Sequence, residues 1–160
     1  MTQLLSASVA TAALGCGLIA GVYFTFSTFV MKALAGLPRA QGIAAMQSIN
    51  EVILASPFIP LFFGTTLLCL ALAGYGAFHL GAPASWALVG GGLAYFVGMF
   101  VVTAVFNVPL NEALRAIDPV EEDAGQVWQE YLSMWTFWNH VRTVSSTAAC
   151  GVFVAALVWW

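Results

Sequence analysis

A chain of 160 residues that is 61% hydrophobic and 7% charged cannot be a soluble domain, because four Lys and Arg with seven Asp and Glu are too few to cover a water-facing surface. The net charge of −3 and the absence of any basic cluster exclude nucleic acid, whose phosphates need several grouped cations. Cys16, Cys69 and Cys150 stand singly in apolar runs, which fits neither a metal motif nor a disulfide framework and reads as three small buried hydrophobes.

Four stretches supply the roughly 20 mainly apolar residues that a membrane span requires: 4–34, 57–79, 84–108 and 133–160. The first would reach roughly 45 Å as a helix, too long for the apolar part of a signal peptide, and its first charge is Lys32, so it reads as a retained membrane helix. Between the first and second spans, Gly36 to Ser56 carries Ile43, Met46, Ile49 and Ile53 at helical spacing among Gln47, Asn50 and Glu51, the pattern of a short amphipathic helix. Leu80-Gly81-Ala82-Pro83 makes a tight turn that sets the second and third spans antiparallel. The most polar segment runs from Asn107 to Gln129. With no internal repeat and no low-complexity linker, the expectation is an all-α, four-helix membrane bundle forming one domain over residues 1–160. It would have an amphipathic helix between the first two spans and a helical extension before the fourth.

Lys32, Arg39, Arg115 and Arg142 all fall on one side of this topology, which predicts outward termini and cytoplasmic segments 35–56 and 109–130. Trp86, Trp159 and Trp160 would mark the outer interface, and Trp128, Trp135 and Trp138 the inner one. Ala13, Gly17 and Gly21 in span one, and Gly90, Ala94 and Gly98 in span three, recur every four residues and suit close helix packing, within a chain or in a homo-oligomer.

Costly polar residues collect at the inner end. Asn107-Val108-Pro109-Leu110-Asn111 closes span three, where Pro109 should push Val108 into extended geometry, break the helix and leave two carboxamides at the boundary. At 100° per residue, Trp128, Tyr131, Trp135, Asn139, Arg142 and Ser146 fall on one stripe, with Trp138 at its margin. Such a stripe could sandwich a flat ring and hold an oxygen anion, and it also reads as an aromatic belt with a snorkelling Arg142. His79 and His140 fall at opposite faces of the membrane, so one chain offers no pair of histidine ligands. His140 is the one side chain near the stripe whose ordinary pKa suits a general base. Mid-depth offers little beyond Tyr23, Thr65, Thr66, Tyr95 and Thr103, which favours a site at one face over a pathway through the bilayer.

The blocks from Gly21 to Leu34, Ala45 to Asn50, Asn107 to Asn111 (Asn-x-Pro-x-Asn) and Trp135 to Arg142 (Trp-x-x-Trp-Asn-x-x-Arg) together resemble the anthrone oxygenase-like family of small membrane proteins. The resemblance covers nearly the whole chain and implies an oxidoreductase, a monooxygenase turning an anthrone into an anthraquinone with molecular oxygen and no cofactor. On that reading Arg142 and Asn139 stabilise the enolate oxygen, with Asn50, Asn107 and Asn111 as further donors. Trp128, Tyr131, Trp135 and Trp138 pack the rings, and His140 takes the proton. The setting implied is a bacterial inner membrane, with a hydrophobic small molecule arriving from the lipid. Two rival readings are a non-enzymatic bundle, as accessory subunit or small-molecule pathway, and a haem or copper site built from His140 of several copies.

Overall fold

The computed structural model describes residues 2–81 and 83–159, and its described residues form five helices without a strand. Four are long and apolar enough to cross a membrane: α1 (Gln3–Ala35), α3 (Phe58–Phe78), α4 (Ala84–Arg115) and α5 (Ala124–Val158). The shorter α2 (Arg39–Leu54) connects α1 to α3. The all-α membrane bundle, its amphipathic connector and the helical extension ahead of the fourth span are all present. Ala82 of the expected turn, and the anchors expected at Trp159 and Trp160, lie outside the described residues and side chains.

Local signals account for the helix ends. Thr2 Oγ1 accepts from the Leu5 amide at 3.3 Å and opens α1. Gly36 and Pro38 end it, and Pro57 precedes α3, where a missing amide proton costs nothing. Around the bundle α1 packs on α5 and α3, and α4 packs on α3 and α5. Glycines set the close approaches: a Cβ on Gly15 would collide with Thr65, one on Gly92 with the Cys69 carbonyl and Ala73, and one on Gly98 with Ser145. The expected small-residue stripes are only partly used, since Gly21 and Gly90 have nothing within 4 Å.

One expectation fails at Pro109. The helix does not break there, because Val108 is helical (φ −61°, ψ −47°) and α4 continues to Arg115. The preceding turn, Thr103–Asn107, is π-helical. Its wider winding moves aside the carbonyl that a proline ring would strike. Similar π turns occur at Phe26–Val30 in α1, Phe96–Val101 in α4 and Tyr131–Trp135 in α5.

The interior has two parts. Val9, Cys16, Ile19, Cys69, Leu88, Tyr95 and Phe153 belong to a core between the spans. Met31, Leu34, Ile43, Met46, Leu114, Trp128, Tyr131 and Trp135 form a second core where α2 closes the far end. Trp128 and Trp135 are therefore interior side chains and not an interfacial belt; Trp86, 61% exposed, remains in keeping with one.

Candidate functional site

Between the two cores lies an apolar cavity of about 230 Å³, walled by Tyr23 and Phe26 of α1, Met46 and Asn50 of α2, Phe58 and Phe62 of α3, Thr103 and Asn111 of α4, and Trp135 and Arg142 of α5. Every helix contributes. Counted along the helices from Gln3, Ala84 and Val158, the residues Tyr23, Thr103 and Arg142 lie about 30, 28 and 24 Å in, near the far boundary of a hydrocarbon core roughly 30 Å thick.

Arg142 dominates the electrostatics. It is 4% exposed, so its guanidinium is held inside the protein and does not snorkel. Its Nη2 donates to Asn139 Oδ1 at 2.8 Å and its Nη1 to Thr103 Oγ1 at 3.4 Å. The guanidinium carbon sits 4.1 Å from the Tyr23 ring centroid and 5.0 Å from that of Trp135. No carboxylate reaches it among the described residues, and its Nε has no partner. An arginine costs roughly 2.5–3.5 kcal/mol at the centre of a span on insertion scales, an upper bound for one this close to the boundary. A charge-assisted hydrogen bond of about 1.5–3 kcal/mol and two ring faces worth up to about 2 kcal/mol can offset that without neutralising the charge. The cation is thus held in place with its field free to act on the cavity.

Asn139 does the holding. Both protons on its Nδ2 are spent, one on the Tyr23 carbonyl and one on Ser27 Oγ, each at 2.8 Å, which turns Oδ1 toward Arg142. It has no donor left for a ligand, so the expected oxyanion contact from Asn139 is replaced by a positioning role. Asn107, also fully buried, gives one Nδ2 proton to the Trp135 carbonyl at 3.2 Å, its Oδ1 has no partner among the described residues, and it is absent from the cavity wall. Asn50 and Asn111 do face the cavity, tied through Tyr131: its hydroxyl accepts from Asn50 at 3.3 Å and donates to Asn111 at 2.8 Å.

The predicted stripe is buried in full: Trp128, Tyr131, Trp135, Asn139, Arg142 and Ser146. Trp128, Tyr131 and Trp135 stack as a ladder, with centroids 5.8 and 5.7 Å apart. Only Trp135 of the three reaches the cavity, and Trp138 stacks instead on Phe106 at 3.7 Å. His140, one residue from buried Asn139, is turned about 100° away; it is exposed and absent from the cavity wall, which removes it as the proton acceptor there. Among the described residues no three His, Cys, Asp or Glu side chains come together as a metal site. Sequence reasoning missed Tyr23, Ser27 and Thr103 as members of the site. The signal available was their polarity at helical positions that face the Arg142 stripe.

Neither the curated proteins nor the solved structures include a match to this chain. The sequence does match the anthrone oxygenase family over residues 56–152, which takes in α3, α4 and most of α5 together with Thr103, Asn111, Trp135 and Arg142. That stretch is more than half of the 160 residues, and the chain belongs to the anthrone oxygenase family.

Proposed function

We propose that the protein is a membrane-embedded oxygenase that oxidises a planar, phenolic, anthrone-like substrate with molecular oxygen and without a bound cofactor, in the cavity beneath Arg142. The observation that carries this reading is a buried guanidinium with no carboxylate partner among the described residues, facing a mainly apolar, aromatic-walled space. Such a site suits a flat hydrophobic molecule that becomes an anion through one oxygen.

The chemistry asks little more of the protein. Loss of a proton from the methylene of an anthrone gives a carbanion whose charge resides largely on the carbonyl oxygen, as a phenolate. Arg142 stabilises that oxygen more strongly than the neutral ketone, which makes the methylene more acidic. Tyr23, Phe26 and Trp135 hold the ring plane. The electron-rich carbon takes up oxygen and forms a carbon–oxygen bond. The peroxide anion so formed takes up a proton from solvent, and the hydroperoxide then loses its remaining C–H proton as the O–O bond breaks, the departing hydroxide combining with that proton. The methylene ends as a ketone, one oxygen atom stays on carbon, and the other leaves as water. With no histidine or carboxylate on the described cavity wall, the proton passes to solvent on the side of Asn50 and Asn111.

The test is oxygen uptake and anthraquinone absorbance with purified protein in detergent or nanodiscs. Arg142→Ala should lower turnover by about 10²–10³-fold, the usual cost of removing one oxyanion contact. Turnover equal to that of the parent would refute the role of Arg142. A Soret band, or stoichiometric copper in the purified protein, would replace the cofactor-independent mechanism with a metal-based one.

A further inference from the structure

The cavity under Arg142 has a neighbour of opposite character. A second depression of about 550 Å³ lies between α2 and the last turns of α4, and it shares Asn50, Ile53, Leu54, Val108 and Asn111 with the first. The rest of its wall includes Glu51, Glu112 and Arg115. Gln47, also on that wall, is committed to the carbonyl oxygens of Leu114 and Ile117 at 2.9 and 3.0 Å. Arg115 pairs with Glu112 on its own helix, and Glu51 has no cationic partner among the described residues. Two carboxylates against one guanidinium leave this groove negative. The inner cavity holds one buried cation and no carboxylate. At the shared wall Tyr131 uses one polar end of each carboxamide, which leaves Asn50 Oδ1 and Asn111 Nδ2 without hydrogen bonds among the described residues.

We propose that the groove is a second subsite for the same ligand, in which Glu51 receives a hydrogen-bond-donating hydroxyl or ammonium substituent while the flat aromatic body lies in the inner cavity with its acidic oxygen on Arg142. The proposal rests on the inner cavity being the ligand site. It narrows the substrate class from any planar phenol to an amphiphile with two chemically distinct ends. A carboxylate substituent is disfavoured, because it would meet Glu51 and Glu112 at a rim where Arg115 is already paired. The boundary carboxamides suit the passage between the two compartments, since each can accept from or donate to a ring oxygen lying across the wall.

The test uses three probes built on one hydroxyanthraquinone core, carrying a methyl, an aminomethyl or a carboxyl group on the ring remote from the hydroxyl. Binding is followed by quenching of tryptophan fluorescence in nanodiscs. The aminomethyl probe should bind roughly tenfold more tightly than the carboxyl probe, as expected for one attraction gained and one repulsion avoided at a half-exposed rim. Glu51→Gln should shrink that ratio, and Glu51→Lys should reverse it. A ratio that stays the same in the parent and in Glu51→Lys, while the methyl probe still depends on Arg142, overturns the groove proposal alone. If Arg142→Ala leaves the methyl probe's affinity unchanged, the inner cavity is not the ligand site and both readings fall.

Discussion

Arg142 is buried without a carboxylate partner among the described residues. Its burial carries a desolvation cost that only neutral groups offset, through Asn139, Thr103 and the faces of Tyr23 and Trp135. Replacing it by an apolar chain of similar length removes that cost along with the hydrogen bond to Asn139. Arg142→Met is therefore expected to keep thermal stability in detergent within about 1 kcal/mol of the parent. Probe binding and turnover should fall together. A large loss of stability in that variant would instead mark Arg142 as a structural strut. Asn139→Ala should behave in the opposite way. It removes the bonds to the Tyr23 carbonyl and Ser27 and leaves Arg142 without its best partner, so a destabilisation of about 2–3 kcal/mol is expected in a thermal melt, with ligand affinity reduced as the guanidinium loses its orientation.

Among the elements, α2 decides whether the cavity is closed. It is a short helix whose apolar face supplies Ile43 and Met46 to the second core and Asn50 to the cavity wall. Its close seating depends on Gly42, where a Cβ would come within 2.7 Å of the Leu34 carbonyl and 3.2 Å of the Trp128 ring. Gly42→Ala must push α2 away from both. A cost of about 1–3 kcal/mol is expected, together with weaker probe binding even though no residue touching the ligand has changed. Unaltered affinity would show that α2 has no part in closing the site. The amphipathic helix and the four spans were legible in the sequence, because helical spacing from Ile43 to Ile53 and long apolar runs are strong periodic signals. The stripe on α5 was legible for the same reason. What could not be read was how each polar group would be spent. Asn139 and Asn107 are fully buried and each donates to a backbone carbonyl on another helix, whereas Asn50 and Asn111 meet the Tyr131 hydroxyl at the cavity wall, and neither set of partners is marked in the sequence. The unbroken path through Pro109 was hidden because a π turn has no composition of its own.

At the scale of the whole molecule the arrangement is polar from end to end. One end holds little more than the turn between α3 and α4, with His79 stacked on Tyr75 at 4.1 Å. At the other, α2 and the extensions of α1, α4 and α5 build a cap around the site. Arg39 ties that cap together by donating to the Glu121 and Glu122 carbonyls at 2.9 and 3.3 Å. The orientation expected from charge needs one amendment, since Arg142 is buried and no longer counts toward it. Lys32, Arg39 and Arg115 still lie at the capped end, and no Lys or Arg lies at the other. Their asymmetry supports a cytoplasmic cap. Single added cysteines report this directly, because Cys16 and Cys69 are buried and shielded from the reagent, which leaves Cys150 alone to be replaced. Glu121→Cys, on the exposed loop of the cap, should react with a membrane-impermeant maleimide only after the cells are opened. A cysteine at Gly81, in the opposite turn, should react in intact cells. The reversed pattern would put the groove, Glu51 and the proposed substituent subsite on the outer side, and the substrate would then have to arrive from there.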